Sequence, residues 1–304
     1  MNTQVEQFDT KIWTIISEDA ALEQIATGFR FTEGPVWCGD YLLFSDIPRN
    51  RIARLHMRRY GPEVTTFRSP SGNSNGLTLD RSGRLIACEQ SARRVTRTEV
   101  DGTISVLADR YQGRRLNSPN DAVVRSDGSI YFTDPSFGLG NPPKWKEVPS
   151  NGVYRIAPDG ELTLLVDDFK MPNGLAFSPD ESVLYINDTT QRHIRCFNVD
   201  PDGSISNGQV FIQMHGVEPG VPDGMKIDQM GNVYCTGPGG IWVMETSGKC
   251  LGRILMPEQP ANFCWGDPDW RTLYIAARSS IYLLRLIVPG IVLATYGGLL
   301  LSDR

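Results

Sequence analysis

The stretch Asn173-Gly174-Leu175-Ala176-Phe177-Ser178-Pro179-Asp180, followed by Val183-Leu184-Tyr185-Ile186, decides how the rest of the chain is read. It passes from an oxygen-bearing side chain through a small residue into an apolar strand, turns on Ser-Pro-Asp and returns along a second apolar strand. The same phrase opens at Glu33-Gly34-Pro35-Val36-Trp37, Asn75-Gly76-Leu77-Thr78-Leu79, Asn120-Asp121-Ala122-Val123-Val124, Asp223-Gly224-Met225-Lys226-Ile227 and Asn262-Phe263-Cys264-Trp265. Successive openings lie roughly 42, 45, 53, 50 and 39 residues apart, the spacing of four-stranded propeller blades.

Further hairpins fill each interval. Gly152-Val153-Tyr154-Arg155-Ile156 turns at Pro158-Asp159-Gly160 into Leu162-Thr163-Leu164-Leu165, which gives about four strands per repeat. The chain therefore reads as all-β, a six-bladed β-propeller of four-stranded antiparallel blades closed by an N-terminal strand. Lys11-Ile12-Trp13-Thr14-Ile15-Ile16 is the predicted donated strand, and Ser280 to Val288 the predicted closing strand. With no linker, residues 1–304 form one domain, about 11–288 the propeller and 289–304 an apolar tail. The insert Phe137 to Ser150 has no alternation and carries Pro142-Pro143, so it reads as a surface loop, either a substrate lid or irregular packing.

Composition removes several function classes. A net charge of −5 with dispersed basic residues offers no field for a nucleic-acid backbone. Six cysteines without a C-x-x-C pair, and only three histidines, argue for reduced core thiols and against a zinc site. The polar, acidic start lacks the pattern of a signal peptide, which points to the cytoplasm. Tyr282 to Leu301 is apolar but interrupted by Arg285 and Pro289, short of an unbroken membrane span. The oligomeric state is not written in the sequence.

In a propeller the innermost strands run along a central channel, so one position in every repeat arrives at one height. Glu33, Asn75, Asn120, Asn173, Asp223 and Asn262 then form a ring of oxygens. Carboxylates and amide carbonyls without thiolate or imidazole suit one divalent cation, Ca²⁺ first, then Mg²⁺ or Mn²⁺, with Zn²⁺ less suited. Asn and Asp also begin strands merely by making turn hydrogen bonds, a reading that fits one copy better than six in phase.

Glu33-Gly34-Pro35-Val36-Trp37, Ser118-Pro119-Asn120-Asp121 with Asp127-Gly128-Ser129-Ile130-Tyr131-Phe132-Thr133-Asp134-Pro135, Met171-Pro172-Asn173-Gly174, and Pro222-Asp223-Gly224-Met225 resemble the motifs of the SMP-30/gluconolactonase/LRE-like family, over about Gly28 to Leu286. The resemblance implies a six-bladed propeller with a divalent cation near its axis. Carried over by motif, it implies Glu33, Asn173 and Asp223 as principal metal ligands and Asn120 as a further ligand or a contact to substrate. It implies hydrolysis of a sugar lactone such as gluconolactone, related members acting on other lactones or phosphotriesters. This chain departs from the pattern at Glu89-Gln90-Ser91, where bacterial members often have His after the Glu, at Asn262-Phe263, and in the extension Ile291 to Arg304.

A lactone carbonyl must be attacked by water while a carboxylate takes the proton. Asp223 is the candidate base as well as ligand, Asn120 orients substrate or water, and Asn75, Asn262 and Glu89 are candidate substrate contacts. Asp121 and Glu89 are alternative bases. A phosphotriesterase or aryl-ester hydrolase on the same metal site, and a non-enzymatic calcium-binding propeller, are the competing readings. Gly72-Asn73-Ser74-Asn75-Gly76 matches G-x-S-x-G, but a strand follows it where a nucleophile elbow needs a helix.

Overall fold

The structure, a computed structural model, describes residues 4–292. Six antiparallel sheets stand around a central axis. Blade 1 is Thr32–Trp37, Tyr41–Asp46, Arg51–Arg58 and Gly61–Arg68; blade 2 is Ser74–Leu79, Leu85–Glu89, Arg94–Thr98 and Ile104–Ala108. Blade 3 is Ala122–Val124, Ile130–Asp134, Asn151–Ile156 and Leu162–Phe169, and blade 4 is Pro172–Phe177, Val183–Asp188, His193–Val199 and Ile205–Gln213. Blade 5 is Met225–Ile227, Val233–Gly237, Gly240–Met244 and Cys250–Leu255; blade 6 is Pro260–Gly266, Thr272–Ala277 and Ser280–Arg285. Inner strands of neighbouring blades touch all the way round, and Pro260–Gly266 meets Thr32–Trp37 to complete the ring.

Inner strands such as Thr32–Trp37, Ser74–Leu79 and Pro172–Phe177 are buried throughout, because each is flanked by a blade on either side. The apolar core is therefore divided into slabs between blades. Between blades 6 and 1, Trp37 stacks on Tyr274 at 5.2 Å between ring centres, among Phe29, Leu42, Phe44 and Ile281. Burial of this kind contributes about 25 cal/mol per Å² of apolar surface.

The small second residue of the repeated phrase follows from how closely the inner strands approach. A Cβ on Gly174 would lie 2.3 Å from the Asp223 carbonyl oxygen, and one on Gly34 would lie 2.3 Å from that of Asn75. Backbone bonds cross at these points: Gly76 N–H donates to Asn120 O at 2.7 Å and Gly174 N–H to Asp223 O at 3.0 Å. Side chains at the ends of the second strands add to them, Ser45 Oγ donating to Asn75 O at 2.8 Å and Thr133 Oγ1 to Asn173 O at 2.9 Å. The opening residues are thus held by their own blade and the one before it.

Closure uses a different N-terminal segment from the predicted one. Lys11 to Ile16 is not a strand: Thr10–Thr14 forms a 3₁₀ helix, capped by Asp9, whose carboxylate accepts from Lys11 N–H at 2.8 Å. Ile12, Ile15 and Ile16 are the buried residues of this run, and that i, i+3, i+4 spacing is helical, not alternating. The donated strand is Glu23–Thr27, the outer strand of blade 6, where Gln24 faces Tyr282 and Thr27 faces Ser280. Val5–Gln7 adds a fifth strand outside Cys250–Leu255 in blade 5.

Ser280–Arg285 ends three residues before the predicted limit. The chain then folds under the ring, with Ile287 N–H donating to Ile15 O at 2.8 Å and Gly290 N–H to Trp270 O at 2.8 Å. The rest of the predicted tail, 293–304, lies outside the described residues. The insert at 137–150 is tied down: Arg93 donates to Trp145 O at 3.0 Å, and Arg115 N–H donates to Glu147 at 2.8 Å. Its Trp145 side is 80% exposed.

Candidate active site

The six opening residues stand where the inner strands begin. Glu33, Asn75, Asn120, Asn173 and Asn262 are all less than a tenth exposed, whereas Asp223 keeps partial contact with solvent. Two further charged groups join them. Asp121 occupies the glycine position of the third copy, and its carboxylate accepts from Ala122 N–H at 2.9 Å, from Asn262 Nδ2 at 3.3 Å and pairs with Lys226 Nζ at 3.5 Å. Lys226 comes from the fifth copy, three residues after Asp223.

Glu33 Oε2 accepts from Asn262 Nδ2 at 3.1 Å and from the adjacent Gly34 N–H. Burial, then the negative charges of Asp223 and Asp121, push its carboxyl well above the ordinary carboxylate range. Burial likewise pushes Asp223 up to about 7, helped by Asp121 and opposed by a hydrogen bond with Asn173 and by Lys226. The Asn173 amide donates to Thr189 Oγ1 at 3.1 Å, and Thr189 in turn donates to Pro222 O at 2.7 Å. Asn120 makes no side-chain hydrogen bond among the described residues and is free to meet a ligand. Asn75 Nδ2 donates to Gln90 Oε1 at 3.2 Å, leaving its carbonyl oxygen.

Asn262 plays a different part from the one the ring pattern assigns. Its Oδ1 accepts from Phe263 N–H at 2.9 Å and Lys226 Nζ at 3.2 Å, and its Nδ2 serves Glu33 and Asp121. This amide is fully committed, spanning from blade 6 towards blade 3 as the floor of the site.

Glu89 needs a correction. Its carboxylate accepts from Arg68 at 2.9 Å, Arg94 at 2.7 Å and Thr96 at 2.9 Å, so it is consumed by its own surroundings and offers nothing to a substrate. It belongs to a second phased position, the last residue of the second strand, held by Asp46, Glu89, Asp134 and Asp188 in blades 1 to 4. Asp46 serves Arg49 and Arg51, and Asp188 accepts four backbone N–H groups. These acids fasten loops to blades.

Among the described residues no group of three or more His, Cys, Asp and Glu has metal-holding spacing, so a cation here needs amide oxygens as well as carboxylates. The donor set fits that requirement. It is oxygen throughout, Asn120 has an uncommitted amide, and three carboxylates against one ammonium leave a net charge of −2 when all are ionised. A hard divalent cation answers both the chemistry and the charge.

The model of the SMP-30/gluconolactonase/LRE-like region matches residues 31–279, an interval that contains all six opening residues. The chain belongs to this family. Among its relatives it is 35% identical to the gluconolactonase of Zymomonas mobilis, over 93% of this chain and 86% of that one. It is 31% identical to the pentonolactonase of Haloferax volcanii, over 83% and 82% of the two chains. Among solved structures it superposes on a gluconolactonase of Xanthomonas campestris with a TM-score of 0.83 at 33% identity, covering 93% of this chain and 94% of that one. The family match covers blades 1 to 5 and the two inner strands of blade 6, leaving out Ser280–Arg285 and Glu23–Thr27.

Proposed function

We propose that this protein is a lactonase that opens a sugar lactone, with a divalent cation, Ca²⁺ by preference, held by Glu33, Asn173 and Asp223 and with Asn120 beside it. The observation that carries the reading is the gathering of three carboxylates, Glu33, Asp121 and Asp223, with the axial asparagine amides on the axis of a propeller whose relatives include lactonases. When bound, the cation polarises the lactone carbonyl and orients water.

The residues of the chain do the rest. Water adds to the carbonyl carbon and its proton passes to the Asp223 carboxylate; the ring C–O bond then breaks and Asp223 returns that proton to the departing ring oxygen, which becomes the hydroxyl of the opened hydroxy acid. Asp223 suits the proton transfer because it is the most solvent-exposed of the opening residues, and its affinity for a proton is raised towards neutrality. Asn120 orients the substrate, and Asn75 presents its carbonyl oxygen beside Gln90. Asn173 is held by Thr189, which keeps it against Asp223. The six free cysteines suit a reducing compartment, and we place the enzyme in the cytoplasm.

Purified protein assayed on a panel of aldonolactones and on a phosphotriester, with and without chelator, tests the reading. It requires chelator-sensitive opening of at least one sugar lactone. Turnover confined to the phosphotriester would move the assignment to a phosphotriesterase, and no turnover on either would leave a cation-binding propeller without hydrolytic function.

A further inference from the structure

Beneath the oxygen ring lies a chamber of about 110 Å³ lined by the next turn of every inner strand. The residue three places after each opening residue faces it: Val36, Thr78, Val123, Ala176, Lys226 and Trp265. Five of these are uncharged. An ammonium set among them is unfavourable unless it finds counter-charge and acceptors, and Lys226 finds both overhead. Its Nζ reaches Met225 O at 3.0 Å, Asn262 Oδ1 at 3.2 Å and Asp121 Oδ2 at 3.5 Å, with the Lys226 side chain 23% exposed and that of Asp121 2% exposed.

Two donors, Lys226 Nζ and Phe263 N–H, both require an oxygen from Asn262, so its amide nitrogen must face Glu33 and Asp121. We infer that Lys226 is a tethered cation that sets the charge of the axial cluster and fixes Asn262 as its floor, a positioning residue that touches no substrate. Without it the three carboxylates would carry −3, and Asn262 would lose one of the two contacts that orient it.

The test uses full-length K226M, which keeps most of the side-chain volume and removes the charge, with K226M/D121N as its partner. In chelator-treated protein K226M lowers the melting temperature by about 5 °C or more, since a partner of a buried charge is gone. Titrated calorimetrically with Ca²⁺ alone, K226M binds roughly tenfold more tightly than the parent, because a repelling charge beside the cation site has been removed. A side chain that merely fills space would leave both readings unchanged, and either an unchanged melting temperature or unchanged or weaker Ca²⁺ binding overturns the inference. Should K226M prove too unstable to purify, K226M/D121N restores a folded protein, and its failure to do so also overturns it. The melting arm needs neither metal nor substrate, so a parent protein that binds no Ca²⁺ refutes the metal reading above, and the melting temperatures alone then decide the role of Lys226.

Discussion

Asp223 sits at the point where burial, a neighbouring carboxylate and a hydrogen bond with Asn173 meet. Replacing it with Asn keeps the shape and removes the proposed base, so D223N should lower kcat by about 10²–10⁴ with the fold intact by circular dichroism. Glu89 gives the contrasting case. E89Q should leave KM for the lactone unchanged and cost about 3 kcal/mol in denaturant unfolding, because Arg68 and Arg94 lose their shared counter-ion. Asp134 shares Glu89's place in the repeat but accepts hydrogen bonds only from backbone N–H groups, and burial pushes it up to about 7 against those bonds and the more distant charges of Arg93 and Lys146. A carboxyl raised in the folded state binds more protons there than in the unfolded chain, so its favourable contribution is complete below pH ~4 and lost as pH rises through ~7. In Ca²⁺-saturated protein the unfolding free energy should fall between those limits, and D134N should flatten the slope.

At the scale of the element, most of the propeller was legible because the phrase repeats with a period and each copy contains its own turn. The spacing placed all six inner strands, and the oxygen-bearing first residue marked the axis. Two things escaped that reading. Ile12, Ile15 and Ile16 form one apolar face at helical spacing, which an apolar run alone does not distinguish from a strand. Lys226 is visible only when the copies are compared position by position, since it is a charge at a place that is uncharged in the others, and Asp121, read from the sequence as an alternative base, is likewise a charge at a place that is small or uncharged in the others. The insert at 137–150 borders a recess of about 390 Å³ with Gln90, Arg115 and the exposed Trp145, and Gln90 also contacts Asn75. W145A should raise KM for a sugar lactone several-fold and leave kcat within about twofold, the pattern of lost substrate binding; a fall in kcat alone would count against the insert as a binding element.

For the whole molecule, the ring closes without an exposed inner edge, and Glu23–Thr27 supplies the last strand from the opposite end of the chain. No helix among the described residues is long and apolar enough to cross a membrane. The closed ring matters for chemistry because it brings residues more than two hundred positions apart, such as Glu33 and Asn262, to 3.1 Å. A single oxygen at one strand start would be a turn residue; gathered by closure, six of them and two intruding charges form the cluster proposed above as the site. Lactone hydrolysis at the axis requires that convergence. A crystal soaked in Mn²⁺ and measured at the manganese edge tests it most directly: we predict one anomalous peak on the propeller axis, about 2.0–2.6 Å from oxygens of Glu33, Asn173 and Asp223, and a peak elsewhere, or none at that position, would contradict it.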